Sequence, residues 1–73
     1  MAAFRDEALQ PTLTHREEDV LELVVQGLTN REIAERLALS KRTVEDYVSR
    51  LLQKFEVKRR GQLIARWLDR SQR

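Results

Sequence analysis

Arg42, Asp46, Ser49, Arg50 and Gln53 cluster on one arc when about 100° is allowed per residue, the spacing of an α-helix. Glu45 lies at one margin of that arc, with Thr43, Tyr47 and Lys54 towards the other. Val44, Val48, Leu51, Leu52 and Phe55 fill the opposite side. Nothing here resembles a nucleophile with its base, a paired-carboxylate site, a glycine-rich phosphate loop or a metal cluster. The chemistry left is recognition by hydrogen bond and charge. An arginine such as Arg42 can grip guanine O6 and N7, and a carboxylate such as Glu45 can accept from a cytosine amino group. An ordinary solvated face fits the same pattern, its acids held in pairs of Lys41 with Glu45 and of Arg42 or Arg50 with Asp46. Periodicity alone leaves both readings open.

The elements that position this face narrow the choice. Thr29 and Glu32 have the spacing of a capping box, which predicts a helix over about 30–37 with Ile33, Ala34 and Leu37 on one side. Ser40 is suited to cap a longer helix over about 41–55. Only Ala38 and Leu39 remain between Leu37 and Ser40 to turn the chain. Helices joined so tightly cross steeply, as in a helix-turn-helix, and the second is the one offered to a DNA major groove.

Two further helices complete an all-α fold of four helices. Thr14 and Glu17 form a second capping-box pattern, preceded by Leu13 as a hydrophobic staple. The first helix then runs over about 15–26 and stops at Gly27, with Val20, Leu21 and Val24 facing inward. Glu17, Glu18 and Asp19 in its first turn are explained by the helix dipole. His15 has no ligand partner in view. A fourth helix over about 61–69 carries Leu63, Ile64, Trp67 and Leu68 as a broad apolar stripe, which fits either the core or a dimer contact. The expected layout is a flexible leader at 1–12, one domain at 13–69 and a frayed tail at 70–73.

Seventy-three residues make one domain near the lower size limit for folding without staples. The absence of cysteine excludes disulfides and thiolate metal sites, and no cofactor or small-molecule ligand is expected. No apolar run approaches the roughly 20 residues of a membrane span, and no signal peptide is present, so a soluble, cytoplasmic protein is expected. The net charge of +2 is unevenly spread. Over residues 11–39, Arg16, Arg31 and Arg36 face Glu17, Glu18, Asp19, Glu22, Glu32 and Glu35, a net of −3. Over residues 40–60, Lys41, Arg42, Arg50, Lys54, Lys58, Arg59 and Arg60 face Glu45, Asp46 and Glu56, a net of +4. Basic charge on and just after the third helix is the footprint of phosphate neutralisation.

The chain resembles the LuxR-type, or GerE-type, helix-turn-helix domain of bacterial transcription regulators. The matching elements are L-T-x-R-E at Leu13 to Glu17, V-L at Val20 and Leu21, and G-L-T-N-x-E-I-A-x-x-L at Gly27 to Leu37. S-x-x-T-V at Ser40 to Val44, V-x-x-L-L-x-K-F-x-V at Val48 to Val57 and R-x-Q-L at Arg60 to Leu63 continue the pattern. The resemblance implies sequence-specific binding of double-stranded DNA in transcription regulation, without enzymatic activity. It implies that Arg42, Glu45, Asp46 and Ser49 read base edges. Thr29, Asn30, Lys41, Thr43 and Arg50 would hold the DNA backbone, joined on grounds of charge by Lys54, Lys58 and Arg59. It also implies a homodimer through the fourth helix, whose apolar stripe is Leu63, Ile64, Trp67 and Leu68; contact with RNA polymerase belongs to a rival reading as a protein-interaction module.

Several residues depart from the family pattern. Glu45 stands where lysine is frequent, Tyr47 replaces a frequent histidine, and Glu56 replaces a common glycine, which predicts a strained or reshaped turn after the third helix. Arg59 and Gly61 replace the usual capping residues of the fourth. Two rival readings are a protein-interaction module, favoured by the acids on the third helix, and a sigma-factor-like promoter reader, which the G-L-T-N and S-x-x-T-V pair fits less well.

Overall fold

The computed structural model describes the backbone of residues 11–71 and the side chains as far as Asp69. Among these residues there are four helices and no strand: α1 (His15–Val25), α2 (Asn30–Leu37), α3 (Lys41–Lys54) and α4 (Arg60–Ser71). The expected bounds hold to within two residues. The leader expected at 1–12 lies, through residue 10, outside the described residues, as do residues 72–73. Arg70 and Ser71, expected in a frayed tail, continue α4.

Both capping boxes form. Thr14 Oγ1 accepts from the Glu17 N–H at 3.2 Å, and Glu17 Oε1 accepts from the Thr14 N–H at 2.8 Å. Thr29 and Glu32 repeat the arrangement at the same two distances. Two donors that a helix start leaves unpaired are satisfied in each case. Ser40 caps α3 by accepting from the Thr43 N–H at 3.0 Å, and its hydroxyl donates to Thr43 Oγ1 at 2.9 Å.

The first three helices all end in a left-handed residue. Gly27 (φ 96°), Ala38 (φ 58°) and Glu56 (φ 57°) each reverse the chain. After each, the next N–H reaches back five residues, from Leu28 to Leu23, from Leu39 to Ala34 and from Val57 to Leu52. These bonds satisfy carbonyls that a helix end leaves open. Glycine adopts this conformation freely, whereas Ala38 and Glu56 hold it against Cβ repulsion. Glu56 therefore sits in the strained turn the sequence predicts. Ala38 does so in the turn between α2 and α3, where the short link forces the reversal.

Val20, Leu21, Leu23 and Val24 of α1 form the core with Ile33 and Ala34 of α2, Val44, Val48 and Leu51 of α3, Phe55 and Leu63. Every helix contributes its apolar stripe, so α3 is braced from behind while its polar face stays outside. Leu63 corrects an expectation. It is wholly buried in the core and cannot form part of a dimer surface. The apolar positions of α4 turned outward are Leu68, 47% exposed, and the half-buried Ile64 and Trp67. The Trp67 ring meets Phe55 edge-on, with centroids 6.2 Å apart and planes at 77°. Trp67 thus shares in the core through Phe55 without being enclosed by it.

The start of α4 is better held than its sequence suggests. The backbone N–H groups of Lys58 and Arg59 donate to Gln62 Oε1 at 2.9 and 3.1 Å. Gln62 thereby supplies the glutamine half of a capping box, although no hydroxyl precedes it. Arg66 ties α4 back to the end of α3 by donating to the Phe55 carbonyl at 3.0 Å.

Candidate nucleic-acid interface

Burial of Val44, Val48 and Leu51 fixes the rotation of α3, and Arg42, Glu45, Asp46 and Ser49 are all exposed as a consequence. Lys41 and Arg50 are exposed beside them, and Thr43 is half-buried. The four expected base readers therefore share one open face. Arg42 Nε lies 4.0 Å from Asp46 Oδ1, with the two side chains 86% and 61% exposed. An ion pair so open to water contributes at most about 1 kcal/mol. It tethers Arg42 loosely and leaves its guanidinium free to exchange the carboxylate for a base edge.

The other acid behaves differently. The Lys41–Glu45 pair weighed from the sequence is not formed, and no ion-pair partner among the described residues reaches Glu45. Its carboxylate faces solvent. Arg50 does not pair with Asp46 either. Its guanidinium lies 5.1 Å from the centroid of the Tyr47 ring, an arrangement in which the ring face attracts the cation. Tyr47 thus orients Arg50 along the helix surface.

Among the expected backbone contacts, Lys41, Thr43, Arg50, Lys58 and Arg59 present polar atoms to solvent. Ser40 donates to the Thr43 oxygen, so the Thr43 hydroxyl proton is available to an outside acceptor. The main-chain bonds of Lys58 and Arg59 to Gln62 leave their charged ends unengaged. At the start of α2, Thr29 is exposed, and Asn30 Oδ1 accepts from Arg60 Nη1 at 2.7 Å. Arg60 Nη2 also donates to the Leu28 carbonyl at 2.6 Å. Partial burial lowers the Arg60 pKa from its ordinary value.

Lys54 is placed otherwise than its charge suggested. Its ammonium donates to Glu17 Oε1 at 2.7 Å and to the Thr12 carbonyl at 3.1 Å. Glu17 is only 3% exposed. The ion pair holds the Glu17 carboxyl below its ordinary pKa, outweighing the opposite effect of burial, and the Thr14 N–H adds to the lowering. Lys54 thus serves the fold by neutralising a buried carboxylate. The sequence reading missed both this pair and the Arg60 bridge. Their partners lie 37 and 30 residues apart, and no local periodicity marks such contacts.

Among the described residues, no group of three or more His, Asp or Glu side chains could hold a metal ion, and no helix is long and apolar enough to cross a membrane.

An exposed polar face on the second helix of a tight helix-turn-helix, braced by an apolar core, is the architecture of helix-turn-helix DNA-binding domains. The family model described as bacterial regulatory proteins, luxR family, matches residues 11–67. The chain is 44% identical over 59 residues to the spore germination protein GerE of Bacillus subtilis, covering 81% of this chain and 80% of that protein. It is 48% identical over 54 residues to the transcriptional regulatory protein DesR of Bacillus subtilis, covering 74% of this chain and 27% of that one. Against the DNA-binding transcriptional activator DevR/DosR of Mycobacterium tuberculosis it is 50% identical over 50 residues, covering 68% and 23%. The chain belongs to the luxR family of bacterial regulatory proteins, which is not an enzyme family. It spans about a quarter of the length of DesR and DevR/DosR and most of that of GerE.

Proposed function

We propose that residues 13–69 bind double-stranded DNA sequence-specifically in a bacterial transcription regulator, with α3 in the major groove. The observation that carries this reading is the exposure of Arg42, Glu45, Asp46 and Ser49 together on one face, while the opposite face of α3 is locked into the core. A helix held in one rotation presents donors and acceptors in a fixed register, which direct readout of base edges requires. Thr29, Asn30, Lys41, Thr43, Arg50, Lys58 and Arg59 hold phosphates and set the position of the helix. Lys54 drops out of this set because Glu17 occupies its ammonium.

Ile64, Trp67 and Leu68 on α4 meet a second copy of the chain, giving a homodimer on an inverted-repeat site. The exposed Glu18 and Glu22 of α1 are left for a protein partner such as RNA polymerase. The cytoplasm of a bacterium is where such a regulator works.

Selection from a random duplex library at two salt concentrations tests the reading. A palindromic motif with affinity falling steeply in salt supports a DNA-reading dimer, and a half-site supports a monomer. One observation favours a second reading, a protein-interaction module: Glu45 stands exposed and without an ion-pair partner among the described residues at the margin of the α3 face. Absence of any enriched sequence at either salt would favour it.

A further inference from the structure

We propose that Arg60 is a positioning residue for phosphate recognition, acting through Asn30; this rests on the DNA-binding reading above. A guanidinium carries donors and no acceptor, so the amide atom facing it must be the Asn30 oxygen. Arg60 Nη1 holds that oxygen at 2.7 Å, while Nη2 holds the Leu28 carbonyl at 2.6 Å. One planar fork thus spans the turn into α2 and fixes which end of the Asn30 amide is spent. The NH2 end is turned away from Arg60 and remains to donate.

The neighbouring groups are polarised in the same sense. Thr29 Oγ1 is occupied by the Glu32 N–H and Glu32 Oε1 by the Thr29 N–H. What Thr29 has left is its hydroxyl proton. The N–H groups of Asn30 and Arg31, in the first turn of α2, have no acceptor within the helix. The start of α2 therefore offers four donors, one hydroxyl, one amide NH2 and two backbone N–H groups, beside the second carboxylate oxygen of Glu32. That set suits a phosphate oxygen, which accepts only. Without Arg60, the Asn30 amide can flip, and an acceptor would then face the anion. Both terminal nitrogens of Arg60 are turned to acceptors within the protein, and in this proposal Arg60 acts on the phosphate through Asn30.

The test uses the 73-residue chain and a duplex obtained by the selection described above, with affinity measured by fluorescence anisotropy across a salt series. Arg60→Lys keeps the charge but loses the fork, and is expected to weaken binding about tenfold with an unchanged salt slope. Asn30→Ala is expected to weaken binding by a similar factor. If Arg60 acts through Asn30, the double variant binds no more weakly than Asn30→Ala alone. Asn30→Asp keeps the acceptor for Arg60, and so keeps the fold, but turns a carboxylate oxygen outward. It should lose more affinity than Asn30→Ala while its melting temperature holds. This variant keeps the proposal testable if Arg60→Lys does not fold. Multiplying losses in the double variant, or Asn30→Asp binding like the wild type, would overturn the role of Arg60 while DNA binding stands. A wild-type chain that binds no duplex at either salt would remove the underlying reading and this proposal with it.

Discussion

Lys54, in the last turn of α3, places its ammonium 2.7 Å from the Glu17 carboxylate in the first turn of α1. Glu17 also completes the Thr14 capping box, so one buried carboxylate ties the start of the domain to the end of the proposed reading helix. Removing one partner of such a pair strands the other.

Lys54→Ala should therefore lower folding stability by about 1–3 kcal/mol, short of the loss for a fully buried pair because Lys54 is partly open to water. Its effect on DNA should be secondary. The salt slope of binding should match that of the wild type, whereas loss of a phosphate contact would make it shallower by about one unit. Thermal melts and anisotropy titrations on the same variant separate the two outcomes.

Acid should weaken the same link. The native Glu17 carboxyl binds its proton less readily than an ordinary glutamate of pKa 4.5, chiefly because of the Lys54 hydrogen bond. The pair thus contributes its stability above the unfolded value and loses it as pH falls through the lowered native value. Chemical denaturation across pH 3–7, about the titration range of carboxylates, should show stability falling at the acid end. Glu17→Gln should be less stable than wild type at neutral pH and should show a smaller acid loss. An equal loss in both proteins would assign the pH dependence to other carboxylates.

The left-handed turns give a prediction of opposite sign. Glu56→Gly relieves Cβ repulsion at φ 57°, partly offset by the added freedom of the unfolded chain. A gain of about 0.5–1 kcal/mol in urea denaturation is expected. Gly61→Ala should also stabilise, because a Cβ there meets nothing within 4 Å and alanine is the better helix former. Gly27→Ala, at φ 96°, should cost stability despite equally open space.

Capping boxes, amphipathic stripes and the Gly27 stop were legible in the sequence because each is a relation among residues a few positions apart. Glu56 in place of glycine was legible for the same reason. Lys54 was misread because charge alone does not say whether a partner lies across the fold. Leu63 was misread because the four apolar residues of α4 divide between core and surface only once α4 has docked. Arg60 read as part of the basic charge just after the third helix, and its two acceptors became visible only with the fold. Local rules located the α3 face, and tertiary contacts decided which cations remain free to serve it.

The division within α4 is open to direct test. Leu63→Ala should destabilise by about 2–5 kcal/mol, as expected of a core truncation. Leu68→Asp should leave the melting temperature nearly unchanged and weaken self-association in sedimentation, since Leu68 is already 47% exposed. Trp67→Ala should affect both readouts, given its contact with Phe55 and its half-exposed position. Self-association unaffected by Leu68→Asp would place any dimer contact elsewhere.

Arg42→Ala should relax base preference at a single position, costing about 1–3 kcal/mol on the favoured duplex and little on others. Asp46→Asn should raise affinity for duplexes outside the favoured sequence, because it removes an acid from the α3 face and releases Arg42 from its pair, and should shift base preference on the favoured one. A uniform loss across sequences on Arg42→Ala would make Arg42 a phosphate contact.

The most direct measurement is to titrate a selected duplex into isotopically labelled protein and follow the backbone amide signals by NMR. Binding through α3 predicts shifts concentrated at Thr29–Arg31 and along Lys41 to Gln53, with the acidic surface of α1 unmoved. Shifts confined to α1 or α4, or none at a concentration where binding is saturated, would contradict major-groove reading by α3.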